Sequence, residues 1–220
     1  MKRLSFIMLS LMLFAVACFP IVKGQGEVVT ERRTYDVHVE GLAVSSGIDV
    51  VLDSTLAPGE AMVTTSQNIM EYVEIEVSGD SLNIGMRRGQ SYNVDKLEVR
   101  LSPEGFTTFA VSGGAELESL EALDIDGDMV IAVSGGADLT LRGRCRNLSV
   151  AASGGADVNL ADMCAERVLA AASGGADLEV YATAAYEINA SGGADVEYRA
   201  TSATTAIHSS GGAEIRAKHL

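Results

Sequence analysis

The side chains best able to do chemistry in this 220-residue sequence are carboxylates, and they recur at a regular spacing. Asp138, Asp157, Asp177 and Asp195 each follow a Ser-Gly-Gly-Ala tetrad; Glu116 and Glu214 follow two more copies that begin at Ser112 and Ser210. Stacked in one column at the ~4.8 Å spacing of paired strands, neighbouring carboxylates repel by roughly 1 kcal/mol in water. Weak calcium binding would offset this, since calcium takes clustered carboxylate oxygens. The alternative is that each Asp side chain accepts backbone N–H groups at a bend. The nine-residue calcium repeat of other β-helices carries a further glycine that is absent here. Asp124-Ile125-Asp126-Gly127-Asp128 resembles a metal loop but lacks the twelve-residue frame ending in Glu, so it reads as an inserted surface turn.

Catalysis finds little support. Two carboxylates flanking a sugar bond suffice for glycoside hydrolysis, but any pair is a weak signal among 30 Asp and Glu, and sugar-stacking aromatics are few. His38, His208 and His219 are scattered, and no serine stands out as a nucleophile. The expectation is a protein that is not an enzyme, with no cofactor. Cys145 and Cys164 lie eleven residues after Ser134 and Ser153, the same phase of adjacent repeats. Stacking would put their Cα atoms ~4.8 Å apart, inside the range a disulfide needs. They are a candidate structural disulfide, with two stacked reduced thiols as the alternative.

The elements that must position these groups follow from the repeat. The tetrads begin at Ser112, Ser134, Ser153, Ser173, Ser191 and Ser210, so the steps are 22, 19, 20, 18 and 19 residues. Around each tetrad, apolar or small residues occupy alternate positions, as in Ile131, Val133, Leu139 and Leu141. Period two is the strand signature, and a step of about 19 residues is too short for a propeller blade. The sequence predicts an all-β, right-handed parallel β-helix, right-handedness being the rule for parallel crossovers. Residues 112–217 form its regular coils and 27–111 a looser region of divergent coils, where Ser46-Gly47-Ile48-Asp49 resembles one more corner. Beyond Ala213 the charges of Glu214, Arg216 and Lys218 alternate, as on a protected edge, which predicts a monomer or weak homodimer.

Met1-Lys2-Arg3 followed by an apolar run to Val22 reads as a secretory signal. Ordinary cleavage would fall before Gln25, giving a 1–24 signal peptide and a single 25–220 domain. Ala15-Val16-Ala17-Cys18 offers a second route, with Cys18 as a candidate lipidated residue. Either way the expected location is the periplasm, outer membrane or cell surface, with no membrane span in the mature chain. The net charge of −14 excludes nucleic acid, whose phosphates need clustered Lys and Arg.

Val44-Ser45-Ser46-Gly47-Ile48-Asp49-Val50-Val51-Leu52, Leu82-Asn83-Ile84 and the Ser-Gly-Gly-Ala-Asp series together resemble a known family, the putative autotransporter adhesins with a head GIN domain. The resemblance runs over roughly residues 35–217. It implies an exported bacterial β-helical domain with no established enzymatic activity and no catalytic residues to carry over. The function expected is a non-enzymatic envelope or surface β-solenoid, acting as an adhesin or a binding or structural module toward a surface protein or glycan. The alternative is a glycan-binding or glycan-cleaving β-helix, which a groove lined with aromatics and acids would favour.

Overall fold

Alternating residues become strand almost throughout the computed structural model, which describes residues 20–199 and 203–218. In chain order the strands are β1 (Ile21–Lys23), β2 (Val28–Thr34), β3 (Gly41–Val44), β4 (Asp49–Leu52) and β5 (Glu60–Ser66). A 3-10 turn, Met70–Tyr72, leads to β6 (Val73–Ser78), β7 (Ser81–Met86), β8 (Ser91–Asn93) and β9 (Leu97–Leu101). The repeats then supply β10 (Thr108–Ser112), β11 (Glu116–Ser119), β12 (Leu123–Asp124), β13 (Asp128–Gly135), β14 (Asp138–Thr140) and β15 (Gly143–Gly154). They continue through β16 (Asp157–Gly174), β17 (Asp177–Ala190), β18 (Asp195–Arg199), β19 (Thr204–Ser209) and β20 (Glu214–Lys218). β15, β16 and β17 are long because each continues as one strand around a corner, the β16–β17 pairing resuming after register shifts between Leu160 and Cys164 and between Ala165 and Arg167.

The strands stack as a β-solenoid with two long parallel faces. One face runs in the order β7, β3, β10, β13, β15, β16, β17, β19. The other runs β9, β4, β11, β14, β16, β17, β18, β20. Inward positions hold Val44, Val111, Val133, Ala152, Ala172 and Ala190 on the first face, none more than 4% exposed. On the second, Val50, Leu117, Leu139, Val158, Leu178 and Val196 are buried to the same degree. The Ser-Gly-Gly-Ala tetrads form the corner between the faces. There Gly155 donates to the Gly135 carbonyl at 2.7 Å, Gly175 to Gly154 at 2.7 Å and Gly193 to Gly174 at 2.6 Å. The first glycine of the tetrad takes a positive φ, 78° at both Gly154 and Gly174. A Cβ on Gly174 would lie 2.9 Å from the Gly154 carbonyl oxygen, so in the regular coils side chains are excluded from this position by both conformation and contact.

The N-terminal region departs from the predicted succession of divergent coils. β3 and β4 come first in sequence yet lie between β7/β9, formed later, and β10/β11. Antiparallel strands close this end: β6 covers β7, β5 covers β9, and β2 covers β5. The short turn at Gly79 (φ 59°) joins β6 to β7, and a connection that tight permits only antiparallel pairing. The corner at 44–49 is present, one residue earlier than the sequence suggests. Val44 aligns with Val111 and Asp49 with Glu116, so Ser46 occupies the first glycine position, with a φ of 71°.

The opposite end is built differently. Among the described residues β19 and β20 each pair with one parallel neighbour, and while Ile207 and Ile215 keep the inward apolar pattern, three other inward positions turn small or polar. Thr205 replaces Tyr186, Ser209 replaces Ala190, and Ala217 replaces Tyr198. Terminal repeats that stay soluble need such a polar face. The folded part also begins earlier than a domain starting at Gln25, because β1 pairs in parallel with β8.

Candidate functional site

The corner glycines bring the tetrad acids into one outward column. Parallel register joins Glu98, Asp49, Glu116, Asp138, Asp157, Asp177, Asp195 and Glu214 in that order. The four predicted residues Asp138, Asp157, Asp177 and Asp195 are its central run, all exposed. Their backbone amides, rather than their carboxylates, make the corner hydrogen bonds: each donates to an alanine carbonyl one coil away at 2.9–3.1 Å. Partial desolvation against the neighbouring coils, then the charges of Asp138 and Asp177, push the Asp157 carboxyl above its ordinary value. Partial desolvation, then Asp49, does the same to Glu116. Cations stand at the two ends of the column. At one end Arg100 bonds Glu98 at 2.8 Å and holds its carboxyl below the usual range. At the other, Arg216 pairs with Glu214. Among the described residues no group of three or more His, Cys, Asp or Glu converges as a metal site.

Asp124, Asp126 and Asp128 also meet the next coil. Asp124 accepts Arg144 at 2.7 and 2.5 Å, Asp126 accepts Arg146 at 2.9 Å, and Asp128 accepts the Asn147 amide at 2.6 Å. The motif is therefore an inter-coil clasp. His38 pairs with Asp36 at 2.9 Å in the open, His208 stands on β19, and His219 lies outside the described residues.

The structure corrects the cysteine prediction. Cys145 aligns with Ala165, and Cys164 with Arg144. The 20-residue coil carries its extra residue between Asn159 and Met163, ahead of Cys164, as the change from Thr140↔Asn159 to Gly143↔Met163 shows. Cys145 points inward and is buried, while the one-residue shift leaves Cys164 on the outward side between buried Met163 and Ala165. Both thiols are free. Burial pushes the Cys145 thiol up to about 11, which removes thiolate reactivity.

Two features escaped the sequence reading. The outer side of the first face carries a column of Ala43, Ala110, Ala132, Ala151 and Ala171, flanked by the tetrad serines and by Val130 and Leu169, which are 45% and 47% exposed. Period two shows that this column faces out, but not that its small side chains leave a flat surface. The second feature is a cleft of about 260 Å³ at the last coils, lined by Glu179, Glu197, Tyr198, Arg199 and Lys218. Lys218 bridges Glu179 and Glu197 at 3.2 and 3.1 Å. Tyr198 packs on Tyr186 with ring centres 5.2 Å apart, and Arg199 covers Tyr181 at 4.1 Å.

The family model described as putative auto-transporter adhesin, head GIN domain, matches residues 38–202. Solved structures share the fold. A putative adhesin from Bacteroides fragilis superposes with a TM-score of 0.72 at 13% identity, over 90% of this chain and 100% of that one. A putative lipid binding protein from Parabacteroides distasonis gives 0.57 at 16% identity, over 89% and 98%. A putative adhesin from Parabacteroides merdae gives 0.55 at 14% identity, over 91% and 99%. Among curated proteins none matches.

Proposed function

We propose, from the premise that the chain belongs to the putative auto-transporter adhesin, head GIN domain family, that it is an exported, non-enzymatic surface module that holds a partner by extended contact. One observation carries this reading: the acid column and the alanine–serine face each run from coil to coil in unbroken register. Stacked repeats give long continuous surfaces suited to such contact. Neither a cofactor nor a chemical step is part of this function. The test is a binding screen of the exported protein against immobilised surface proteins and glycans. A partner that loses binding when Asp138, Asp157 and Asp177 become Asn, or when Ala132 and Ala151 become Arg, supports it. Hydrolysis or modification of a screened glycan would overturn the non-enzymatic reading.

The cleft at the last coils favours a second reading, glycan binding. Its volume suits a single sugar unit, Tyr198 offers ring surface, and the Glu179–Lys218–Glu197 bridge offers acceptors and a donor for hydroxyls. Tyr198→Ala abolishing glycan capture, with the Asp→Asn triple variant still binding, would select this reading over the first.

A further inference from the structure

Export normally removes the leader, and the structure bears on where it is cut. The segment Pro20–Gln25 is built into the fold rather than trailing from it. Ile21, Val22 and Lys23 pair with Ser91, Tyr92 and Asn93. The ladder extends at both ends, through Ser91 N–H to the Pro20 carbonyl at 3.1 Å and Gly24 N–H to the Asn93 carbonyl at 2.9 Å. Asn68 grips the chain on both sides of Gly24: its amide NH₂ donates to the Lys23 carbonyl at 2.8 Å, and its oxygen accepts the Gln25 N–H at 2.6 Å. Gly24 itself is packed, since a Cβ there would lie 2.8 Å from the Ser66 hydroxyl. Val22 leans on the core. Cleavage before Gln25 would cut the chain between the two groups that Asn68 holds and strip β8 of its strand partner, β1.

We infer that the leader is removed upstream of Pro20, at the Ala17–Cys18 bond, and that Cys18 becomes a lipidated first residue. Cys18 lies outside the described residues; β1 sets the downstream limit of the cut, and the sequence before it supplies the site. Small residues at Ala15 and Ala17 bracket Val16 directly before a thiol, within the apolar run and upstream of the part that must be kept. The modifying step belongs to the cell's own enzymes and needs a glycerophospholipid. The Cys18 sulfur attacks the glycerol carbon that bears the phosphate, a C–S bond forms as the C–O bond breaks, and the phosphorylated headgroup leaves while the thiol gives up its proton. Water then hydrolyses the Ala17–Cys18 peptide bond. Two acyl chains suffice for stable anchoring where one does not. Only Phe19 separates Cys18 from Pro20, a reach of about 7 Å at full extension. The anchor therefore holds the antiparallel end of the solenoid at the bilayer, with the regular coils leading away from it.

This inference deepens the export reading above and is tested separately from it. The full 220-residue chain is expressed in a Gram-negative host fed radiolabelled fatty acid, and the membrane-associated product is sequenced and weighed intact. The expected product begins at Cys18, carries the mass of a diacylglyceryl group and is labelled. Cys18→Ser abolishes the label and leaves uncleaved precursor, whereas Cys164→Ser keeps both label and cleavage. A product starting at Gln25, or at Cys18 without lipid, overturns the inference while export stands. A chain retained in the cytoplasm with Met1 still attached overturns both.

Discussion

From Asp128 to Ser209 the chain winds so that each coil meets the coils next to it in sequence, whereas from Gly41 to Leu101 the rung made first is inserted between rungs made later. One region is assembled from local steps of about one coil, the other from long-range pairings and antiparallel edges. A solenoid can thus be ended in two ways. The N-terminal side covers its last parallel rung with β5, β2 and β6, whose reversed direction stops further stacking. The C-terminal side keeps parallel strands and changes their side chains, placing Thr205 and Ser209 where the preceding coil buries Tyr186 and Ala190, and Ala217 where it half-buries Tyr198.

The two ends differ most in what the inserted rung supports. Leu42 is 1% exposed and belongs to the strand held between β7 and β10. Leu42→Ala is expected to cost about 2–5 kcal/mol and to loosen both regions together, because β3 is shared by them. Ile207 in the terminal coil is 39% exposed, and Ile207→Ala is expected to cost under ~1 kcal/mol. Urea melts followed by hydrogen exchange check both; equal losses at the two sites would contradict the distinction between ends.

Next in size are the glycines. Gly174→Ala places a Cβ against the Gly154 backbone at a positive φ and is expected to cost about 2–3 kcal/mol. Gly79→Ala also meets a positive φ, but nothing lies within 4 Å, so about 1 kcal/mol is expected. Thermal melts in which Gly79→Ala is the more harmful would place the crowding in the N-terminal turn instead of the coil corner.

The smallest effect tests the acid column, where the two regions should respond with opposite sign. Asp157, in the regular coils, has a raised carboxyl pKa from partial desolvation and then its neighbours. Its favourable contribution is full below the unfolded carboxylate range and is lost as pH rises through the raised folded value. Asp157→Asn is therefore expected to stabilise by about 0.5 kcal/mol at pH 7, with the gain vanishing in acid. Glu98, beside Arg100, is lowered, so its contribution is present at neutral pH and lost as pH falls through the lowered folded value. Glu98→Gln is expected to destabilise at pH 7 by a similar amount. Denaturation midpoints at neutral and acid pH decide it, and two shifts of the same sign would show that Arg100 does not set Glu98 apart.

What was legible depended on markers. The corner of the regular coils is legible because glycine holds its first position in every one of them, so six tetrads announce the register and the acid after each one announces the column. Cys164 was misplaced because a 20-residue step says that one residue is extra but not where. Counting back from Ser173 gives the observed phase; counting forward from Ser153 does not. The β3–β4 insertion was hidden because Ile84-Gly85-Met86 leads away from the corner into β8 and back, leaving no tetrad to count. β1 was hidden by composition, since Ile21 and Val22 continue the apolar run before them. The cleft at Tyr198 depends on the small size of Ala217 one coil on, which matters only when the two are stacked.

The glycine corner also has a hereditary consequence. Gly155, Gly175 and Gly193 each bond a tetrad glycine one coil away, so a coil bearing the tetrad presents the next with the same socket that it fills itself. A gene encoding such coils can grow by in-frame duplication of one of them, each copy lengthening the stack by ~4.8 Å and extending the acid column by one charge. Reach and charge become quantities that a lineage can adjust by counting copies, while the two unlike ends, made once, stay as they are.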